Sequence, residues 1–308
     1  MAERLSSPIR AIKRTRLAAS VLDVVIAPQQ ALVTRYAILK ALHRIDQDAT
    51  GHKLFRKEPL GKIHVQRVIG NLIATKALAS DPDYGRNVYR VLSMGDATAE
   101  EAFALVTPFG YVSHLSAMQR RGLSDRHPVA LHLTLPADTV ARRMATEQMG
   151  MDFPPPFDRL PVETGVRLVN MVPPAKLRGR AVEVTKTAHP GTWLTVRGTA
   201  TRLATIGQTF HDMLDRPDLC GGMAHICDVW RNHAQTYLPE IIRVIEADGS
   251  PIAKVRAGYL LDEVLGLKED ARIQGWLAHA QRGGSRVLDP SQPFAPTYSE
   301  KWMLSINV

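Results

Sequence analysis

An imidazole and a carboxylate on adjacent helical residues can share one divalent metal, and His211-Asp212 is such a pair. Metal-dependent phosphohydrolysis would need further ligands from neighbouring helices. His189, His225, His233 and Asp228 are the residues of the right kind nearby in the chain. Dipeptides of this sort also arise by chance, as polar helix positions. Cys220 and Cys227 form a C-x6-C spacing that suits neither a zinc pair nor a disulfide framework, so they read as small buried side chains. His114, with Ser113 and Ser116, lacks an evident acidic partner for nucleophilic catalysis. No Walker, Rossmann or nucleophile-elbow glycine pattern occurs. The expectation is therefore a chain with no catalytic residues, no metal and no cofactor.

A different chemistry is offered by "PLGKIHVQRVIGNLIATKAL", Pro59 to Leu78. At about 100° per residue, Val65, Val68, Ile69 and Leu72 gather on one side of a helix. His64, Arg67 and Asn71 gather on the other, with Lys62 and Gln66 flanking. Arginine pairs with the guanine O6/N7 edge, and Asn or Gln with the adenine N6/N7 edge. His64, Gln66, Arg67 and Asn71 are thus candidate base readers. Arg14, Lys53, Arg56, Lys57, Lys62 and Arg86 are candidate phosphate contacts, which position a protein without reading sequence.

The charge distribution favours such a partner. Residues 1–95 hold 16 Lys+Arg against 7 Asp+Glu, whereas residues 96–308 hold 23 of each, so the whole net charge of +9 lies in the first third. A basic module beside a neutral one points to a polyanion. No apolar run approaches the roughly 18 residues of a membrane span, and the expected location is the cytoplasm.

Elements must present that helix. "QQALVTRYAILKALHRI" carries Leu32, Tyr36, Leu39 and Leu42 at helical spacing; "DATGHKLFRKEP" has room for a short helix. After the Pro59–Leu78 stretch, "ALASDPDYGRNVYRVLS" reads as strand, turn at residues 81–85 and returning strand. Helix, short helix, helix, hairpin is the order of a winged helix-turn-helix. The predicted division is a basic arm over 1–28, a winged helix-turn-helix over 29–95 and a mixed domain over 96–308, an α+β chain overall. In the last region helices are expected over "DATAEEAFALV", "GYVSHLSAMQRRGLSD" up to Gly122, residues 138–149 and from Ile206 onward. Strands are expected at "PVALHLTLP", near residues 166–171, 181–186 and 193–197, and in the closing "YSEKWMLSINV".

At "GYVSHLSAMQRRGLSDRHP" and "ATIGQTFHDMLDRPDLCGGMAHICDVW" the chain resembles the AbiEi family, antitoxins of type IV toxin-antitoxin systems. Val112, Ser113, His114, Ser116, Ala117, Gly122 and Leu123 carry the first segment's likeness. Thr209, Asp212, Leu214, Asp215, Arg216, Pro217, Gly221 and Gly222 carry the second's, about 85 residues on. The resemblance implies a protein that represses its own operon at a duplex operator of inverted repeats and opposes a nucleotidyltransferase toxin. On physical grounds those residues read mainly as scaffold: Pro217 ends a helix, and Gly221-Gly222 allow close backbone approach. A regulator whose second domain senses an unrelated ligand or partner, and a metal phosphohydrolase with a DNA-binding appendage, are the alternatives.

Overall fold

The computed structural model describes residues 12–48, 59–281 and 286–308. The expected short helix of "DATGHKLFRKEP" and the candidates Lys53, Arg56 and Lys57 lie outside the described residues. Helix α1 (Arg16–Ile26) starts where the Thr15 hydroxyl accepts from the Ala18 amide at 3.2 Å. Its Ala18, Val21, Leu22 and Val25 are buried at helical spacing. The arm expected over 1–28 is corrected from Arg16 onward, where Arg16–Ile26 form an amphipathic core helix; residues 1–11 of it lie outside the described residues.

Strand β1 (Leu32–Thr34) and helix α2 (Arg35–Gln47) share the stretch expected as one helix. Thr34 ends the strand and caps the helix, its hydroxyl accepting from the Ala37 amide at 3.1 Å. Helix α3 (Lys62–Ala74) buries Val65, Val68, Ile69 and Leu72. Strands β2 (Leu78–Asp81) and β3 (Gly85–Val91) form the expected hairpin. Asp81 Oδ1 accepts from the Asp83 and Tyr84 amides, each at 3.0 Å, and Gly85 closes the turn at φ 72°. With Leu32 opposite Arg90 and Leu78 opposite Val91, the antiparallel order is β1-β3-β2.

Next come α4 (Ala99–Val106), β4 (Tyr111–Val112), α5 (His114–Arg120), β5 (Ala130–Pro136), α6 (Asp138–Asp152) and α7 (Leu160–Glu163). Strands β6 (Lys176–Leu177), β7 (Arg180–Thr187), β8 (Trp193–Thr195) and β9 (Arg202–Ala204) complete a six-stranded mixed sheet of order β6-β7-β5-β4-β9-β8. β5 and β7 run parallel from Ala130 opposite Ala181 to Pro136 opposite Thr187. The strand expected near residues 166–171 does not form. Val166 is buried there, while Val169 and Val172 are exposed and the segment joins no ladder. Apolar β-branched composition without a strand to pair with leaves a loop.

The helical end of the chain comprises α8 (Ile206–Asp215), a 3-10 turn over Pro217–Cys220, α9 (Met223–His233), α10 (Leu238–Asp248) and α11 (Pro251–Tyr259). A π-helical turn over Leu260–Val264, α12 (Ala271–Gly275) and a hairpin of β10 (Tyr298–Ser299) and β11 (Leu304–Ser305) follow. Phe210, Trp230, Ile241, Leu260 and Trp302 share one core here. α8 and α10 meet at Gly207, where an added Cβ would fall 2.3 Å from the Glu240 carbonyl oxygen.

Two compact units result. The first gathers residues 1–98, 105–108 and 142–174; the second gathers 99–104, 109–141 and 175–308. A single cut at 95/96 is therefore corrected, because a later segment returns to the first unit. Phe153, Leu160 and Val166 lie in one buried cluster with Val21, Leu42 and Leu72. The Tyr36 hydroxyl donates to Asp152 Oδ2 at 2.7 Å, and Lys40 Nζ to Oδ1 at 2.8 Å. No helix among the described residues is long and apolar enough to cross a membrane.

Candidate functional site

Helix α3 carries two stripes at i, i+3, i+4, i+7. Val65, Val68, Ile69 and Leu72 face the core; Ile63, Gln66, Arg67 and Gly70 face outward and are exposed. Among the described residues, Gln66 and Arg67 make no side-chain hydrogen bond or ion pair.

His64 and Asn71 are not on that stripe, and both are corrections to the expected reading face. His64 is buried, and its Nδ1 accepts from the Gly61 amide at 3.2 Å, closing the first turn of the helix. Asn71 Oδ1 accepts from the Thr15 amide at 3.0 Å, and its Nδ2 donates to the Lys13 carbonyl at 3.3 Å. Both residues lie about a quarter turn from the core axis at 100° per residue, on a flank that local and N-terminal backbone covers. A helical wheel drawn for α3 alone contains neither covering segment. Ile63, exposed to 45%, was missed because apolar residues are read first as core.

The candidate phosphate contacts in the described residues surround α3 without converging. Lys62 stands exposed at its first residue, and Arg86 is exposed just after the hairpin turn. Arg14 is exposed with its Nε 3.5 Å from the Thr75 hydroxyl, at the far end of the helix.

In the second unit the two segments named in the sequence do meet. Ser113 precedes α5 beside β5, its amide donating to the His132 carbonyl at 3.1 Å. The Thr134 hydroxyl donates to Ser113 Oγ at 2.8 Å, and Ser113 Oγ lies 2.8 Å from His114 Nδ1. A hydroxyl has one proton and two lone pairs, so Ser113 can accept from Thr134 and bond the ring nitrogen at the same time. Burial, with His132 and Arg216 nearby, pulls the His114 pKa down to about 3, so the ring is neutral. Ser116 Oγ accepts from the His132 amide at 3.0 Å, and His132 Nε2 lies 3.4 Å from Glu183.

Asp212 approaches from α8. Gln208 Nε2 donates to its Oδ1 at 2.8 Å, while the buried Oδ2 has no partner among the described residues. Burial pushes the carboxyl up to about 6, against the Gln208 bond, the His211 charge and the His114 amide, which hold it down. His211 turns away to Asp248, 3.3 Å from Oδ2. Its burial lowers the pKa, but the Asp248 bond and the Asp212 charge outweigh that and leave it raised.

Arg216 pairs in a two-bond fork with Asp218, at 3.0 and 2.8 Å, just outside His114; Asp215 is exposed and ends α8. Pro217 opens the 3-10 turn, as a helix stop should. The role expected for Gly221 and Gly222 changes. They stand at φ 90° and 87°, so handedness requires glycine; a Cβ on Gly221 would meet only the His225 and Arg126 side chains, and one on Gly222 nothing. Gly122 ends α5 at φ 68° as expected. The close backbone approach lies instead at Gly207.

His132 and Thr134 were missed as members of this centre. Their signal was two polar residues one strand period apart inside the otherwise apolar "VALHLTLP". Cys220 and Cys227 are free and buried, and His225 Nε2 bonds Ser124 Oγ at 2.9 Å. Among the described residues no group of three or more His, Cys, Asp or Glu is placed to hold a metal ion. No protein-family model matches this chain, and no curated protein matches it either.

Proposed function

We propose that the first unit is a winged helix-turn-helix that binds duplex DNA through α3, making the protein a regulator of transcription without a catalytic role. One observation carries the reading: the outward stripe of α3 holds Gln66 and Arg67 without side-chain partners among the described residues, within the segment that has all the net charge. The sheet order β1-β3-β2 behind it, with helices α2 and α3 between its first two strands, supports the same reading. α3 then enters the major groove, Arg67 reads guanine and Gln66 adenine, and Lys62, Arg86 and Arg14 hold phosphates. The test is binding of the full chain to duplex pools of random sequence, followed by selection. Enrichment of a defined site, lost in Arg67→Ala, is expected; equal retention of all sequences by both proteins would remove the reading.

For the second unit, the resemblance supplies the proposal that it opposes a nucleotidyltransferase toxin. The convergence of Ser113, His114, Asp212 and Arg216 on one centre favours it, since both segments carrying the resemblance then serve one structure. Co-expression with such a toxin should restore growth. No rescue by a well-folded protein would overturn the proposal.

A further inference from the structure

Gly70 sits in the middle of α3 on its exposed side, at ordinary helical φ, and a Cβ built there meets nothing within 4 Å. Glycine weakens a helix interior relative to alanine. Neither the backbone conformation nor the packing of this chain calls for it. Ile63 stands two turns earlier on the same stripe, at the second residue of the helix, with 45% of its surface in water. Single exposed apolar residues are ordinary, but this one shares its stripe with Gln66 and Arg67, which have no side-chain partner among the described residues. A partner that covers the stripe would meet, in order, an apolar branch, an amide, a guanidinium and bare backbone. The major groove matches that series: the thymine methyl is its apolar group, adenine and guanine edges suit the next two, and bare backbone admits the groove wall closely. The first residues of a recognition helix are those that reach base edges.

We propose that Ile63 selects a thymine by its 5-methyl group and that Gly70 lets α3 sit close enough for that contact. The proposal rests on the duplex-DNA reading above. Duplexes selected from a random pool by the full chain supply the probe, each thymine being replaced singly by uracil, which removes the methyl alone. At one thymine in each half-site the wild-type protein should lose affinity about fourfold, the factor for one buried methyl group. Ile63→Ala should bind the thymine duplex weaker by a similar factor and be indifferent to uracil there. Gly70→Ala should melt at a higher temperature yet bind the same duplex about tenfold more weakly, as when one base contact is lost. Selected duplexes indifferent to every thymine-to-uracil change, an arm that needs no variant, overturn the proposal and leave DNA binding standing. So does a Gly70→Ala protein that binds unchanged. Failure to select any duplex overturns both.

Discussion

Asp212 and His114 are neighbours whose burial acts on folding in opposite directions. Asp212 has a folded pKa of about 6, above its ordinary 3.8, so the folded state holds the proton more tightly than the unfolded chain. Stability from this group is full below about pH 4 and is lost as pH rises through 6. His114 is depressed from 6.5 to about 3, so its contribution is present above pH 6.5 and is lost as pH falls toward 3. Asp212→Asn removes the first effect alone. It is expected to raise the melting temperature at pH 7.5, with an effect on the order of 3 kcal/mol, and to lose that advantage as pH falls below about 4. Melting curves of both proteins across that range check this. A constant offset would place the carboxyl's ionisation outside the window. At Arg67 the readout is recognition: Arg67→Ala should lose about 1 to 3 kcal/mol at particular base pairs with melting unchanged.

At the scale of elements, the flanks of α3 matter as much as its face. Asn71 ties the backbone ahead of α1 to α3 through two hydrogen bonds. Asn71→Ala is therefore expected to destabilise by about 1 to 2 kcal/mol while leaving base preference as it was. Loss of one base preference with unchanged melting would return Asn71 to the readers. The contact of α8 with α10 is set by Gly207, where a methyl group would fall 2.3 Å from a backbone oxygen. Gly207→Ala should cost about 3 kcal/mol or more, because neither backbone can yield without moving its helix. Thermal melting measures it, and a neutral result would show that the two helices slide freely.

At the scale of the molecule, the first unit is discontinuous in sequence. A fragment ending at residue 95 lacks Phe153, Leu160 and Val166, which belong to its buried cluster. Losing three such side chains exceeds about 5 kcal/mol, comparable to a domain's whole stability. The fragment is expected to show no cooperative melting, whereas the full chain does. A cooperative transition in the fragment would make the returning segment dispensable. Binding of the full chain to duplex DNA should weaken steeply with salt. Lys62→Ala or Arg86→Ala should each reduce the log-log slope by about one.

The sequence by itself determined what depends on near neighbours. The core stripe of α3, the turn between β2 and β3, the stop of α5 at Gly122 and the helix-ending role of Pro217 all follow from periodicity, φ preference and a missing N–H. The excess of positive charge in the first third is likewise a property of composition. Only the tertiary structure decided which polar side chains of α3 remain in water, since the backbone of residues 13–15 and Gly61 occupies one flank. It also decided that residues 142–174 complete the first unit and that β1 is a strand. A three-residue strand has no period to read, and its conformation is dictated by β3, more than fifty residues away. The meeting of His114 with Asp212 is of the same kind: long-range packing removes water from both groups, and burial, which no local pattern encodes, sets their charges.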